Sequence, residues 1–323
     1  MPFFGNLLPS MKIKDILGSW DCNSQKVESV REVRLRYMPK VQEQIMGKNL
    51  LGFEEGTSMY YVQSGQPFAK GTNGAVYKAH RIRMTEGSTY YTPLIAKRMP
   101  VKLASFKECV IQRMIYDEIP LNVPRIYRVF RTSKYLWVFM SDLREPVDVA
   151  DKSESLHCWL TSTALLLSST QRSDCLNTIM MKVLELMSIL HKKYAFKHGD
   201  LHPGNIYIHS AGPLICRVYL IDFGYSMIRD DSGRHNTSPY WYSYRDGVDM
   251  AIFLWSIWTC GTFAQLASNS VISWLSAKLL LKGTDLKKFK TNTDVYRYLE
   301  TATADEMAGL SISTVESELK ALI

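Results

Sequence analysis

Apolar and polar residues follow two different patterns along the chain, and in the first half the pattern favours strands. Between about residues 58 and 99, β-prone residues dominate, which predicts strands at MYYV, AVYKAHRIRM and TPLIAKRM, with the turn-rich TEGST between the last two. A helix is predicted next, at ASFKECVIQRMIYDE, and Pro120 ends it. Two further apolar segments, RIYRVF and YLWVFM, follow this helix. Upstream, RLRY at 34–37 has the alternation of a half-exposed strand.

The second half of the chain is predicted to be mainly helical. Residues 174–194 carry apolar side chains at helical spacing, and Ser173 or Asp174 is the candidate N-cap. The apolar positions are Leu176, Ile179, Met180, Val183, Leu184, Met187 and Leu190. Two short strands, NIYI and VYLI, are predicted on either side of a Ser-Ala-Gly-Pro turn. A strand-rich half joined to a helix-rich half predicts two lobes with a cleft between them, which is a common place for ligands.

One long uncharged stretch, from Met250 to Ala277, is apolar enough to raise the alternative of a membrane span. Polar residues interrupt its second half, namely Gln265, Ser268, Asn269 and Ser270. We therefore interpret its first part, from Val248 to about Thr262, as a helix buried inside the protein, since such a helix is apolar all round. No transmembrane segment is expected.

Composition and charge narrow the class of protein. The chain has 323 residues with 46% hydrophobic content, enough for a sizeable core, and its net charge of +8 is interpreted as a solvated basic surface. No nucleic-acid partner is expected. The six cysteines are scattered without a CxxC pair, which favours reduced thiols in an intracellular protein of the cytoplasm or the nucleus. The N-terminus does not have the pattern of a signal peptide.

Two short motifs, HGDLHPGN at 198–205 and IDFG at 221–224, indicate phosphoryl transfer. This chemistry requires metal ions on the phosphates, a carboxylate that receives the incoming hydroxyl, and positive groups that hold the nucleotide. Asp200 is the candidate carboxylate, and Asn205 can reach a magnesium ion from the same loop. Asp222 can hold metal against the phosphates, because Mg²⁺ prefers a few hard oxygen ligands together with phosphate oxygens.

The order H-x-D-x-x-x-x-N and then D-F-G resembles the protein-kinase superfamily, and the resemblance covers about residues 58–260. AKGTNGAV at 69–76 resembles the glycine-rich loop, IAKR at 95–98 the strand with the phosphate-binding lysine, and YLWVFMSDL the hinge beside the adenine. The resemblance implies that Glu108 is the ion-pair partner of this lysine, although Gln112 stands where the family usually has an apolar residue. The residues it implies for nucleotide binding are Ala69, Gly71, Gly74, Val76, Lys97 and Met140.

The resemblance also implies a fold and an activity. The fold is α+β, a bilobal protein-kinase-like fold with a strand-rich N-lobe and a mainly helical C-lobe. The domains are then an N-terminal extension at 1–55, the N-lobe at 56–140 and the C-lobe at 141–323. The implied protein is an atypical serine/threonine protein kinase that uses ATP and Mg²⁺ to phosphorylate a protein hydroxyl. Lys97, Asp200, Asn205 and Asp222 are expected to converge on one cleft.

Two framework features are implied by the same resemblance. His198 and Phe223 would stack in the core, and Asp249 would hold the backbone of the catalytic loop. Three departures affect the substrate and the regulation. Gly199 replaces the arginine that grips a phosphorylated activation loop, His202 replaces the usual lysine, and the segment before Asp249 is short and lacks Ala-Pro-Glu.

Alternative functions follow from these departures. HGDLHPGN also resembles small-molecule phosphotransferases of the aminoglycoside and choline kinase type, so a small-molecule acceptor stays open beside a protein Ser/Thr acceptor. A pseudokinase that acts as a binding module is a third alternative, and the oligomeric state is open. The missing arginine predicts activity that does not depend on phosphorylation of the activation segment, whose candidate positions are Ser226, Ser232, Thr237 and Ser238.

Overall fold

The computed structural model describes residues 44–47, 49–71, 74–144, 152–211, 213–228 and 247–323. The chain folds as two compact units. The first comprises Met1–Asp117 and Pro124–Glu145, and the second comprises Glu118–Val123 and Pro146–Ile323. Strands dominate the first unit and helices the second, so the α+β, bilobal architecture expected from the sequence is confirmed. The exact domain boundaries stay a prediction.

Within the described residues, the strands alternate with turns in the first unit and are few in the second. The strands are β1 (Gln44–Gly47), β2 (Leu50–Glu55), β3 (Ser58–Gln63), β4 (Ala69–Gly71), β5 (Gly74–Thr85), β6 (Ser88–Pro100), β7 (Ile126–Arg131), β8 (Tyr135–Ser141), β9 (Lys152–Ser155), β10 (Ile206–Ala211), β11 (Leu214–Leu220), β12 (Leu280–Leu281) and β13 (Thr284–Asp285).

The α-helices lie mostly in the second unit. In the part of the chain that the structure describes, they are α1 (Leu103–Glu118), α2 (Leu156–Thr161), α3 (Ser169–Tyr194), α4 (Val248–Thr259), α5 (Phe263–Leu266), α6 (Asn269–Lys278), α7 (Asn292–Thr301), α8 (Ala304–Met307) and α9 (Ile312–Leu322). Single 3₁₀ turns lie at Thr163–Leu166, Pro203–Asn205, Leu286–Lys288 and Ala308–Leu310.

The first unit is built on an eight-stranded antiparallel sheet in the order β1-β2-β3-β5-β6-β8-β7, with β4 paired to β5. The strands expected from MYYV, AVYKAHRIRM, TPLIAKRM, RIYRVF and YLWVFM are all present. β1 and β2 come from residues 44–55, which we had assigned to an extension, and they are part of the same sheet. The strand expected at 34–37 lies outside the described residues.

One face of this sheet forms an aromatic core. Tyr77 pairs with Ala96 on the next strand, and Ala96 pairs with Phe139. Because side chains alternate across a strand and register partners share a face, these three side chains point to the same side. Phe53 stacks on Phe130 at 5.1 Å between ring centroids. The other members of this core are Tyr60, Val62, Ala75, Ala79, Leu94 and Trp137. Its large rings bury much apolar area, which stabilises the sheet that carries the candidate nucleotide residues.

The second unit is organised around the long helix α3. It begins at Ser169 and not at residue 174 as expected, because Ser168 is the N-cap and forms a capping box with Gln171. The apolar stripe predicted for this helix is buried. A three-stranded antiparallel sheet in the order β11-β10-β9 lies in the same unit.

Helix α4 confirms the interpretation of the uncharged stretch. Most of its residues are buried, including Phe253 and Leu254, whose side chains are fully inaccessible to solvent. Among the described residues, no helix combines the length and the apolarity that a membrane crossing needs. The helix therefore serves as a packing element of the second unit, and its first turn carries Asp249.

Candidate functional site

The HGDLHPGN segment forms the connection between α3 and β10. Helix α3 ends at Ala195, which adopts a left-handed conformation (φ 44°) and turns the chain away from the helix axis. Lys197 and Met227 then exchange two backbone hydrogen bonds, of 3.0 and 2.9 Å. The loop before Asp200 and the segment after the IDFG motif consequently run side by side.

Asp249 fixes the backbone of this loop. Its Oδ2 accepts a hydrogen bond from the His198 N–H and its Oδ1 accepts one from the Gly199 N–H, both at 2.8 Å. Asp249 is only 3% exposed, and a buried carboxylate is stable when charge-assisted hydrogen bonds replace its hydration. Ser226 adds a third link, because its hydroxyl donates to the His198 carbonyl oxygen at 3.0 Å.

His198 is a structural residue of the core. Its ring lies 5.5 Å from that of Phe223, as expected from the sequence, and neither side chain is exposed to solvent. Burial lowers the pKa of His198, so the imidazole is neutral at physiological pH. Its Nε2 lies 3.1 Å from the carbonyl oxygen of Ile221, which places the single proton of the ring on Nε2. This contact joins the HGDLHPGN segment directly to the IDFG segment.

Asp200 has a dense set of hydrogen-bond donors. Asn205 Nδ2 lies 3.1 Å from Asp200 Oδ2 and 2.9 Å from the Asp200 carbonyl oxygen. His202 Nε2 lies 3.6 Å from the same Oδ2. Because the Gly204 N–H donates to His202 Nδ1 at 3.0 Å, the ring proton of neutral His202 is on Nε2 and faces Asp200. The Tyr296 hydroxyl donates to the other oxygen, Oδ1.

These donors determine the ionisation of Asp200. Burial alone raises the pKa of the carboxyl group, but the hydrogen bonds from His202 and Tyr296 and the nearby histidines outweigh it and hold the pKa below its ordinary value. Asp200 is therefore an anion at neutral pH. A carboxylate that is ionised and positioned by its neighbours can accept a proton from a hydroxyl, which is the step that phosphoryl transfer requires of this residue.

Asn205 and Asp222 are held next to one another by the backbone. The Ile221 N–H donates to the Asn205 carbonyl oxygen at 3.0 Å, and Asp222 follows directly. Asp222 adopts φ 59°, a left-handed conformation that Asp tolerates better than most residues. Since Asn205 Nδ2 is directed at Asp200, the amide oxygen is the atom left for a cation. An amide oxygen and a carboxylate are hard ligands of the type that Mg²⁺ prefers.

The first unit holds the second set of candidate residues. Lys97 Nζ lies 2.5 Å from Glu108 Oε1, and the two residues are 8% and 5% exposed. Lys97 is in the middle of β6, with Val76 and Val138 as its register partners on the two neighbouring strands. Because partners in register share a face, Val76 and Lys97 lie on one side of the sheet, together with Met140, which pairs with Ile95.

The glycine-rich segment is a hairpin of β4 and β5. Ala69 pairs with Val76 and Gly71 with Gly74, while residues 72–73 lie outside the described residues. A Cβ atom at Gly74 would lie 2.4 Å from the carbonyl oxygen of Arg98, so glycine is required for β5 to approach β6 here. Gly71 has open space on this side. The hairpin thus combines one packing glycine with one that leaves the backbone accessible.

Gln112, the polar residue on the buried face of α1, has a structural explanation. Its Nε2 donates to the Pro124 carbonyl oxygen at 2.9 Å and lies 3.8 Å from the Met140 sulfur. The neighbouring positions Ile111 and Ile115 face inward as expected. A buried amide that is hydrogen-bonded can replace an apolar residue at small cost, so Gln112 is compatible with the pairing of Glu108 and Lys97.

Sequence reasoning missed the contribution of Tyr296. This residue is 96 positions from Asp200, and no local pattern in VYRYLE distinguishes it from Tyr298. Ser226, one of the candidate positions of the activation segment, is buried, and its hydroxyl donates to the His198 carbonyl oxygen. The other candidate positions, Ser232, Thr237 and Ser238, lie outside the described residues, so their part of the regulatory hypothesis stays a prediction.

Comparison with known proteins gives one family match. Residues 107–249 match the model of the ABC1 atypical kinase-like domain, a little under half of the chain. No curated protein matches it. The matched part includes Asp200, Asn205 and Asp222 and ends at Asp249, while Lys97 and the glycine hairpin precede it. A domain of this type is a kinase-like phosphotransferase or a pseudokinase. Residues 107–249 are therefore similar to the ABC1 atypical kinase-like domain, which is consistent with the expected resemblance to protein-kinase-like proteins of the atypical class.

Proposed function

We propose that the protein is an ATP- and Mg²⁺-dependent phosphotransferase, an atypical serine/threonine protein kinase that transfers the γ-phosphate to a protein hydroxyl. The observation that carries this proposal is the arrangement of Asp200. Its carboxylate is ionised, Asn205 and His202 direct donors at it, and Asp249 fixes the loop that holds it. An ionised carboxylate held in one orientation by its neighbours is what the proton-accepting step of phosphoryl transfer needs.

The proposed roles divide between the two units. In the second unit, Asp200 accepts the proton of the acceptor hydroxyl, while Asn205 and Asp222 hold Mg²⁺ through oxygen atoms. Bound Mg²⁺ would neutralise charge on the phosphates and orient them for displacement. In the first unit, Glu108 positions the Lys97 ammonium for the phosphates. Backbone N–H groups of the hairpin at Ala69, Gly71 and Gly74 would contact phosphate, and Val76 and Met140 would pack on the base.

Two alternative functions from the sequence analysis, a pseudokinase and a small-molecule kinase, are compared with this proposal. The pseudokinase alternative is disfavoured because Lys97, Asp200, Asn205 and Asp222 are all present, and because Lys97 is already paired with Glu108. The small-molecule alternative, of the aminoglycoside or choline kinase type, is favoured by Gly199. Its backbone has no room for an arginine that would grip a phosphorylated loop, a device that belongs to regulated protein kinases.

We also propose that the protein acts inside the cell, in the cytoplasm or the nucleus. Four cysteines among the described residues, Cys109, Cys158, Cys175 and Cys260, are free thiols. Free thiols persist in a reducing compartment. Labelling with a thiol reagent after denaturation, in lysate from the source cells, tests this point, since oxidised cysteines would contradict it.

The function is tested by incubating the protein with γ-labelled ATP, Mg²⁺ and two acceptor panels, one of Ser/Thr peptides and one of amino sugars and choline. We expect transfer to peptides, and its loss with a chelator. Asp200→Asn should bind ATP normally and turn over about 10²–10⁴-fold more slowly, whereas Asp222→Asn should lose Mg²⁺-dependent nucleotide binding.

Asp305→Asn, at an exposed position, is the matched control and should behave as the unmodified protein. Transfer to a small molecule alone would select the alternative acceptor class. ATP binding without any turnover in the unmodified protein, unchanged by Asp200→Asn, would establish a pseudokinase and end the proposal.

A further inference from the structure

The Tyr296 hydroxyl contacts Asp200 in the way that the hydroxyl of a phosphate acceptor would. Tyr296, in α7, donates its phenolic proton to Asp200 Oδ1. The other oxygen, Oδ2, is 3.1 Å from Asn205 Nδ2 and 3.6 Å from His202 Nε2. The loop donors thus satisfy one oxygen of the proposed base, and the second oxygen is directed at the phenol.

The position of Tyr296 is set by the fold of the second unit. Helix α7 begins with a capping box between Thr291 and Asp294. On the helix, Val295 and Leu299 are buried, which anchors the face next to Tyr296. A capped helix with two buried apolar residues holds its side chains in defined directions. The contact with Asp200 is therefore a property of the packed helix.

Phosphoryl transfer requires a hydroxyl within hydrogen-bond reach of the carboxylate that takes its proton. The Tyr296 phenol meets this requirement before any other acceptor arrives. We propose that Tyr296 is a phosphorylation site of the protein's own activity, modified within the same molecule. This inference rests on the phosphotransferase function proposed above, and it extends the acceptor class to a phenol.

The proposed step balances as an ordinary phosphoryl transfer from ATP. A bond forms between the Tyr296 oxygen and the γ-phosphorus, and the bond from that phosphorus to the β–γ bridging oxygen breaks. ADP is the leaving group, and the phenolic proton passes to Asp200 and then to solvent. No further reactant is required beyond Mg²⁺-ATP.

The product would change the site. A phosphotyrosine carries a charge of about −1.5 to −2 at neutral pH, and next to a carboxylate such a charge is repelled. The modified side chain would leave Asp200, and the carboxylate would become available to an external hydroxyl. The expected behaviour is one self-phosphorylation per chain, followed by transfer to other acceptors after a lag.

The test compares the full chain with Tyr296→Phe, Tyr298→Phe and Asp200→Asn, each incubated with γ-labelled ATP and Mg²⁺. Tyr298 is the matched control because it lies on the same helix, and its ring packs on Phe289 at 5.7 Å. We expect mass spectrometry to find about one phosphate per chain, on Tyr296, in the unmodified protein and in Tyr298→Phe. Tyr296→Phe and Asp200→Asn should not be labelled there.

The rate of labelling and the transfer of phosphate to a peptide distinguish modification within one molecule from modification between molecules. The fraction labelled per unit time should not depend on protein concentration, and Tyr296→Phe should phosphorylate a peptide acceptor without a lag. Labelling that rises with protein concentration would show modification between molecules and overturn the inference. Peptide transfer with Tyr296 never labelled would also overturn it and leave the proposed function intact. No transfer to any acceptor, in any variant, would instead remove the proposed function itself.

Discussion

The carbonyl oxygen of Tyr225 lies 2.4 Å from the point that a Cβ atom of Gly199 would occupy. Gly199 also has φ +77°, a conformation that side chains with a Cβ atom rarely adopt. The absence of an arginine beside Asp200 is thus a consequence of local packing. The IDFG segment passes so close to the loop that any side chain at this position is excluded.

Gly199→Ala should consequently destabilise the protein more than an ordinary glycine substitution. The positive φ costs about 1–2 kcal/mol and the steric conflict with the backbone a further ~1–3 kcal/mol. Gly283→Ala is the control, since Gly283 lies in the same unit at φ +85° with open space around it. Urea unfolding measures both variants. An equal loss in the free energy of unfolding for Gly199→Ala and Gly283→Ala would show that the loop can move away from Tyr225.

Asp249→Asn should loosen the loop that carries His198 and Asp200. The amide has one acceptor oxygen and can retain only one of the two backbone hydrogen bonds, so we expect a loss of about 1.5–3 kcal/mol in the free energy of unfolding. The rate of turnover should also fall in this variant, because Asp200 is in the same loop. Protection of the His198 and Gly199 amides from hydrogen exchange is the direct measurement. Protection that is unchanged in the variant would contradict the role of Asp249.

The buried pair of Lys97 and Glu108 should show strong coupling. Glu108→Ala leaves a buried ammonium without its partner, which costs about 3–5 kcal/mol, whereas the double variant Lys97→Met with Glu108→Leu removes both charges and should cost less than the single change. The pair of Glu316 and Lys320 on helix α9, in which the lysine is exposed, is the control. Its removal should change stability by about 0.5 kcal/mol at most. Additive losses at Lys97 and Glu108 would refute this coupling.

The pKa of Asp200 should rise when its donors are removed. The folded-state pKa of Asp200 lies below the ordinary pKa of an aspartate, so ionised Asp200 stabilises the fold at pH values above that ordinary pKa. This contribution is lost as the pH falls through the lower folded-state pKa. His202→Ala and Tyr296→Phe each remove a hydrogen bond to the charged form and should move the pKa upward. Carbon-13 NMR titration of the carboxyl groups measures the change.

Glu318 serves as the internal reference for that titration. Burial alone raises the pKa of this carboxyl, but its hydrogen bonds with Lys278 and Trp274 lower the net value, and neither partner is altered. Its titration should therefore be the same in all variants. A shift at Glu318 equal to that at Asp200 would indicate a general change of structure instead of the loss of two local hydrogen bonds.

Local patterns in the sequence predicted most of the secondary structure. The β-prone residues of AVYKAHRIRM and the helical spacing from Leu176 to Leu190 are local features of the sequence, so the sequence alone predicts the strand β5 and the helix α3. The start of α3 was placed too late, because the apolar spacing begins only at Leu176 and the candidate N-cap was sought directly before it. The capping box of Ser168 with Gln171 starts the helix earlier.

The candidate site divides in the same way. The sequence by itself determined which residue types could carry phosphoryl transfer, since Asp200, Asn205 and Asp222 stand in motifs that depend on chain order alone. Only the tertiary structure decided that Tyr296 donates to Asp200, and that Gly199 faces the Tyr225 carbonyl. These contacts join positions far apart in the chain, and their existence depends on how whole helices and loops pack, which no short-range pattern of residues encodes.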